Sequence, residues 1–324
     1  MSQGTLNANA WKLVTRFRKQ PDLFGVQISE SNQGALIIDA GVNTKGGFDA
    51  GCLVTEICLG GYGQARLRFH QYGRSTLPTI HVSTDHPIIA TLGSQLAGWR
   101  LTVGSFHAIA SGPARALARK PKKLFSKIQY SETAAKAVIV LEAAEIPPED
   151  AISYIASTCG VSCEHLGVIV VPTNSIAGLT QISGRIVETA IHKLMELGCD
   201  PNIVRYGVGS APIAPLAQDE EHAMGRANDM LLYGGVAYLT IDSTMDNHEL
   251  MDIVRQTPSI MSSDYGRPFA DIFSSVAGDF YKIDPRLFAP AVIHINNIAS
   301  GGTYRAGYIN NEIIEKSICF RQLM

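Results

Sequence analysis

Residues 179–198, LTQISGRIVETAIHKLMELG, have the clearest helical pattern in the chain. Their apolar side chains recur at spacings typical of one face of an α-helix; this face comprises Ile182, Ile186, Val187, Ala190, Ile191, Leu194 and Met195. Thr180 is a suitable N-cap, Gly198 is a suitable C-terminal stop, and Pro201 prevents continuation. The pattern therefore predicts one helix over this stretch, with its apolar face in a core.

Four polar residues lie together on the other face of this predicted helix: Gln181, Arg185, Glu188 and His192. Arg185 and Glu188 place a guanidinium and a carboxylate on one rigid element, where a site can be positioned well. Two interpretations are open on the residues alone. Such pairs are usually solvated ion pairs that contribute about 0.3 kcal/mol, but the same two groups are competent for catalysis.

Length and composition are typical of a globular protein with two domains and a large core. The chain has 324 residues, of which 46% are hydrophobic and 17% are charged, and its net charge is −2. This composition excludes a disordered chain. The lack of a basic excess argues against nucleic acid or acidic lipid as a partner. The low charge is compatible with buried subunit interfaces, so a homo-oligomer is expected.

The sequence predicts a cytoplasmic protein. The N-terminal segment has no apolar signal core, and no window approaches the roughly 18 apolar residues of a membrane span. Six cysteines in a chain of this length are typical of reduced thiols rather than of a disulfide framework.

Strand and helix patterns alternate irregularly along the chain. Apolar or alternating runs predict strands at residues 25–30, 35–42 and 52–61. Helical patterns at residues 10–20 and 220–232 are among those that separate the strands.

This mixture predicts an α/β fold of mixed α+β character, without the regular βαβ rhythm of a Rossmann fold. We expect two layered domains with a ligand cleft between them. Residues 1–147 form the first expected domain and residues 148–324 the second, and their segments can interleave.

Two glycine-rich segments, residues 59–63 and 207–212, could present backbone N–H groups to an anion. Neither completes a nucleotide-binding fingerprint, and tight turns at strand ends explain them as well. A zinc site is suggested by Cys159, Cys163, His165 and Cys199. Because no second pair completes this ligand set, buried thiols are the better interpretation.

Two other segments are open to functional and structural interpretations. Asp85 could orient the imidazole of His86, or form an Asx-type turn before Pro87. Arg115 lies near a predicted helix start, where it could bind an anion. A serine hydrolase is poorly supported because the sequence has no G-x-S-x-G motif.

Six segments together are far more specific than any one of them. They are IIDAGVNTKGGFDAG (37–51), TDHPIIATLGSQLAGW (84–99), SGPARALARKPKK (111–123), PTNSIAGLTQISGRIVETAIHK (172–193), SSDYGRPF (262–269) and YKIDPRLFAPAVIHINN (281–297). On these segments the chain resembles the methenyltetrahydromethanopterin cyclohydrolases over nearly its whole length.

The resemblance implies an enzyme of one-carbon metabolism that hydrolyses the methenyl bridge of 5,10-methenyl-tetrahydromethanopterin, a folate-like carrier, to the N5-formyl form. It also implies a homotrimer of two-domain subunits with the pterin between the domains, and neither a metal nor a prosthetic group. The family's catalytic arginine and glutamate correspond to Arg185 and Glu188. The resemblance thus favours the active-site interpretation of this pair.

In that interpretation Glu188 positions and deprotonates a water molecule, and Arg185 favours the ionised carboxylate and fixes its orientation. Substrate-binding roles are predicted for Gln181, Ser183, Asp85 and Gln95, for all of which structural roles are the alternative. Two other functions stay open. One is a cyclohydrolase acting on methenyl-tetrahydrofolate, and the other is a non-catalytic module that binds a pterin or an anion through Arg185.

Overall fold

A computed structural model describes residues 4–319 of the chain. The strands in this part are β1 (Gln27–Glu30), β2 (Leu36–Asp39), β3 (Gly63–Tyr72), β4 (Ser75–Thr84), β5 (Trp99–Val103), β6 (Phe106–Ser111), β7 (Ala137–Glu142), β8 (Leu166–Val170), β9 (Val204–Pro212), β10 (Val236–Ile241), β11 (Val292–Asn297) and β12 (Thr303–Gly307). The α-helices are α1 (Leu6–Lys19), α2 (Pro21–Phe24), α3 (Phe48–Cys58), α4 (Pro87–Ala90), α5 (Ala114–Ala118), α6 (Lys122–Lys127), α7 (Glu149–Cys159), α8 (Ile176–Ser183), α9 (Ile186–Glu196), α10 (Glu220–Gly234), α11 (Asn247–Gln256), α12 (Phe269–Ser275) and α13 (Asn311–Ser317).

A π-helical turn, Thr91–Gln95, follows α4. Short 3-10 helices occur at Cys163–His165, Pro201–Ile203, Ser259–Met261, Phe280–Lys282 and Pro285–Leu287. None of the helices in the described residues has the length and hydropathy needed to cross a membrane.

The chain forms two compact units, and each unit is built from separate segments. Within the described residues, the first contains residues 4–65 and Ile88–Gln181, and the second contains Arg66–Pro87 and residues 182–319. This division differs from the expected boundary at residue 147, because the β3–β4 hairpin pairs with strands from the second half of the chain.

The first unit contains a mixed six-stranded sheet in the order β1-β2-β8-β7-β6-β5. Strands β2, β8 and β7 are parallel, and the other pairs are antiparallel. Side chains of β7 alternate between two cores: Val138 packs with residues of α1 and α3, whereas Ile139 packs with residues of α7. Because both faces of β7 are buried, its sequence is a nearly continuous run of apolar residues.

The second unit contains a six-stranded sheet in the order β12-β11-β10-β9-β4-β3, in which only β10 and β11 are parallel. Helices α9 and α10 pack on one side of it, and α12 and α13 pack on α10. On the other side Tyr206, Val208 and Tyr238 are between 41% and 49% exposed. One face of this sheet is therefore core, and the other is open.

The expected fold class, mixed α/β and not Rossmann-like, is confirmed by the two mixed sheets and their helices. The strand predicted at residues 52–61 is wrong, because these residues lie mainly in α3. Leu53, Val54 and Ile57 are all at most 2% exposed. A helix buried on most of its circumference has a continuous apolar run that periodicity cannot distinguish from a buried strand.

Candidate functional site

The single helix predicted over residues 179–198 is in fact two helices, α8 and α9, which meet at Gly184 and Arg185. Arg185 is the N-cap of α9, with φ −84° and ψ 2°. Its amide donates to the carbonyl of Ile182 at 3.0 Å, and its carbonyl accepts from the amide of Thr189 at 2.8 Å. Glycine is about 1 kcal/mol less favourable than alanine inside a helix, which makes Gly184 a weak point in the pattern.

The predicted N-cap, Thr180, is also wrong. Helix α8 begins at Ile176, and the hydroxyl of Ser175 accepts from the amide of Gly178 at 2.9 Å, as an N-cap does. Thr180 lies inside the helix and donates to the carbonyl of Ile176 at 2.7 Å. The predicted stop is confirmed, because Gly198 has a left-handed φ of +93° just after the end of α9.

The break changes the environment of Glu188, which lies in the first turn of α9 rather than in the middle of a helix. Arg185 and Glu188 are only 8% and 7% exposed. These fractions exclude a solvated surface pair. The N-terminal turn of a helix has a positive electrostatic potential. This potential favours a negative charge at the start of α9, where Glu188 lies.

Two glycines of β9 determine how closely α9 lies on the second sheet. A Cβ atom on Gly207 would be 2.6 Å from Cγ1 of Val187, and one on Gly209 would be 2.7 Å from Cγ2 of Ile186. Segment 207–212 is thus part of a strand, not a turn that binds an anion. The close packing of α9 on Gly207 and Gly209 is not visible in the sequence, since it depends on which helix faces these glycines.

Gln181 and Ser183, in the last turn of α8, are buried at 1% and 0% exposure. The hydroxyl of Ser183 donates to the carbonyl of Pro212 at 2.8 Å, so its proton is used to join α8 to β9. Its oxygen can still accept a hydrogen bond. Both residues precede Arg185 by a few positions in the sequence. Their contact with substrate remains a prediction.

Asp85 and Gln95 have opposite surroundings. Asp85 is exposed two residues before α4, whereas Gln95 is fully buried at the end of the π-helical turn. Arg115 supports this turn from within the first unit, because it is fully buried and Nη1 donates to the carbonyls of Leu92 and Ser94 at 3.2 and 3.0 Å. The structure thus gives Arg115 a role in holding the segment that carries Gln95.

Glycine-rich residues 59–63 follow the end of α3 and close it with a tight turn. Gly60 and Gly61 have φ values of +63° and +72°, and their amides donate to the carbonyls of Ile57 and Glu56. These amides are therefore engaged by the helix end. Among residues 4–319 no three histidine, cysteine or acidic side chains form a cluster that could hold a metal ion.

Comparison with known proteins gives the family. The family model for cyclohydrolase (MCH) matches residues 5–318. Methenyltetrahydromethanopterin cyclohydrolase of Methanocaldococcus jannaschii is 42% identical over 98% of this chain and 99% of its own length. The proteins of the same name from Methanocella arvoryzae and Methanothermobacter thermautotrophicus are 44% and 41% identical, over 98% and 97% of this chain and 99% and 98% of their own. This chain belongs to the cyclohydrolase (MCH) family.

Membership of the cyclohydrolase (MCH) family confirms the resemblance that the six segments indicated. One residue in these segments, Asp39, was not singled out. Its carboxylate accepts from the amides of Gly41, Val42 and Asn43 at 2.7–2.9 Å, which folds the loop after β2 into a compact turn. An aspartate two residues before a glycine at the end of an apolar strand was the available signal.

Proposed function

We propose that this protein catalyses the reversible hydrolysis of 5,10-methenyl-tetrahydromethanopterin to N5-formyl-tetrahydromethanopterin. The main support is the match of nearly the whole chain, at 41–44% identity, to relatives that carry the name of this activity. The burial of Arg185 and Glu188 at the α8–α9 junction adds independent support, because two charged side chains are kept from water by the fold.

The substrate determines what the protein has to supply. Its methenyl carbon lies between two nitrogens and shares their positive charge, so it is already electrophilic. Hydrolysis then requires a water molecule directed at this carbon and an acceptor for the proton that the water loses. A carboxylate provides both functions, and its charge also attracts the cationic substrate.

In the proposed mechanism Glu188 accepts a hydrogen bond from water and takes its proton as the C–O bond forms. The C–N bond to N10 then breaks, N10 receives a proton, and the remaining carbonyl is the N5-formyl group. One water is consumed and one proton is released for each methenyl cation. The position of Glu188 in the first turn of α9 suits this role, because the helix N-terminus stabilises the carboxylate between turnovers.

Arg185 acts in this proposal through Glu188. Its guanidinium, three positions earlier, favours the ionised carboxylate and fixes its orientation with a charge-assisted hydrogen bond. Stabilisation of the carboxylate makes it a weaker base, but a cationic electrophile needs only a weak base. The carbonyl of Arg185 is itself held by the amide and the hydroxyl of Thr189, at 2.8 and 3.0 Å.

We assign Gln181, Ser183, Asp85 and Gln95 to substrate binding. Asp85 suits the amino-pyrimidine edge of a pterin because its exposed carboxylate can accept two hydrogen bonds. Gln95 is an amide at the end of a turn that Arg115 fixes, and can therefore be oriented well. Gln181 and Ser183 precede the catalytic pair on the same segment.

The test is the ultraviolet band of the methenyl compound, which should decay faster in the presence of purified protein than in buffer alone. An unchanged rate would reject the proposed activity. In the same assay, competition between the methenyl forms of the methanopterin and folate carriers distinguishes the proposed enzyme from a cyclohydrolase that acts on methenyl-tetrahydrofolate. Tight binding of the carrier without turnover, lost in Arg185→Ala, would instead indicate a non-catalytic binding module.

A further inference from the structure

A cavity of about 420 Å³ lies in the second unit, and neither Arg185 nor Glu188 lines it. Residues between His222 and Asp229 of α10, the start of α12 and the end of α13 line it. Its wall includes Arg226 and Asp229 from α10, Arg267 before α12, and Lys316 from α13. The volume is within the roughly 300–1,000 Å³ range of small-molecule pockets.

The segment that carries Arg267 is fixed to α10 at two points. The hydroxyl of Tyr233 donates to the carbonyl of Arg267 at 2.7 Å. The carboxylate of Asp229, one turn earlier on α10, accepts from the amide of Phe269 at 2.8 Å. These bonds use only the backbone of residues 267–269. The fold therefore holds the position of Arg267 without any need for its guanidinium.

Both guanidinium groups at the cavity have neutral hydrogen-bond partners. Arg226 donates to the carbonyls of Leu216 and Ser317 at 2.7 and 3.2 Å, and Arg267 donates to the hydroxyl of Ser275 at 3.1 Å. In the part of the chain that the structure describes, neither group has a carboxylate within ion-pair distance. Arg226 uses Nε and Nη1 in these bonds and Arg267 uses only Nη2, so each guanidinium keeps at least one nitrogen that can donate to a ligand.

The acidic residues of the cavity only partly offset this charge. Asp229 is part of the cavity wall and is only 1% exposed. Burial raises the pKa of its carboxyl to about 7. The carboxyl therefore holds its proton to higher pH than an ordinary aspartate does. Asp271 is the other acid of the wall, and the unpaired cations there are Arg226 and Arg267, because Lys316 is paired with Glu312 at 3.8 Å. The local excess is positive, although the whole chain has a net charge of −2.

We propose that this cavity is a second ligand site, which binds a small molecule with an oxyanion group, a carboxylate or a phosphate, through Arg226 and Arg267. Arginine suits this ligand class because its planar fork makes paired hydrogen bonds to both oxyanions. Asp229 and Ser317, deeper in the wall, offer acceptor and donor groups to the rest of the ligand.

The exposed thiol of Cys319 lines the same cavity and provides a local reporter. In the full-length protein, inorganic phosphate or malonate at millimolar concentration should slow the alkylation of Cys319 by iodoacetamide. Mass spectrometry of the peptide that contains Cys319 measures the rate of this alkylation. Alkylation of Cys163, in the first unit, should not change. The anion that protects Cys319 more strongly identifies the ligand as phosphate-like or carboxylate-like.

Arg267→Gln should weaken this protection about ten-fold or more in anion concentration. Arg267→Lys, which keeps the charge but not the fork, should have an intermediate effect. The matched control is Arg255→Gln, which removes an equal charge from the exposed face of α11 and should leave the protection intact. If neither anion protects Cys319, or if Arg267→Gln is protected like the control, the proposed site is rejected. Methenyl hydrolysis is measured separately, so this result does not depend on the proposed activity.

Discussion

Glu188 and Asp229 are both almost entirely removed from water, and their surroundings differ. Glu188 lies in the first turn of α9, three positions after Arg185. Asp229 lies inside α10 and accepts one amide N–H, from Phe269. A helix N-terminus and a nearby guanidinium stabilise a carboxylate, whereas burial alone opposes its charge. The surroundings of Glu188 therefore suit the base proposed above, and we expect Asp229 to titrate near neutral pH.

Glu188→Gln should reduce kcat for methenyl hydrolysis by about 100-fold or more, because the amide keeps the size of the side chain but cannot accept a proton. Initial rates and circular dichroism measure activity and fold on the same preparation. The control is Glu196→Gln at the exposed end of the same helix, where turnover should be unaffected. Unimpaired turnover in Glu188→Gln would contradict the assigned role.

Asp229→Asn should make stability less dependent on pH. Burial raises the pKa of Asp229 from 3.8 to about 7, so the folded state holds this proton more tightly than the unfolded state. The free energy of unfolding should therefore fall as pH rises from about 4 to above 7. Between pH 5 and pH 8 this loss is on the order of 2 kcal/mol.

The Asn variant should lack this loss, and denaturant unfolding at the two pH values measures it. The exposed Asp252→Asn on α11 is the control and should behave like the unmodified protein. An equal loss of stability in Asp229→Asn and in the unmodified protein would show that Asp229 is not the group responsible.

The sequence predicts the helices and strands that a local pattern determines. It does not predict the elements that depend on packing between distant parts of the chain. Helix α10 and strand β2 follow from helical periodicity and from an apolar run, respectively. The break between α8 and α9 does not, because the apolar face continues across Gly184. Strand β9 is missed since its glycines are typical of turns until α9 is seen to pack on them. Helical periodicity places Arg185 and Glu188 on one face, but only the family resemblance favours a catalytic role for them, and that role stays a prediction.

Gly209→Ala tests whether this close packing positions Arg185 and Glu188, the proposed catalytic residues. The new Cβ atom would be 2.7 Å from Ile186 and 3.1 Å from Val187, so α9 has to move away from the sheet. We expect a loss of stability of about 1–3 kcal/mol and a reduced kcat. Ser210→Ala, on the opposite face of the same strand, should change neither quantity to this extent. Full activity in Gly209→Ala would show that the position of α9 is not critical.

For the whole molecule, we propose the homotrimer that the family resemblance implies. The open face of the second sheet supports self-association, since it exposes Tyr206, Val208 and Tyr238, and the rings of Tyr238 and His294 stack there at 6.0 Å. Light scattering on a sizing column should give three times the 34.9 kDa mass of the chain. Val208→Glu on this face should lower that mass. A monomer mass for the unmodified protein would contradict the proposal.

The interleaving of the two units has a consequence for biosynthesis. Strand β4 pairs with β9, so that Thr79 is opposite Pro212. During translation the β3–β4 hairpin therefore leaves the ribosome well before its partner strand exists, an interval of about ten seconds at ordinary elongation rates. Until then one edge of β4 has no strand beside it, which is a recognised hazard for aggregation. The second unit should therefore be the slower of the two units to fold on nascent chains and the one more dependent on chaperones, even though its first strands are made early.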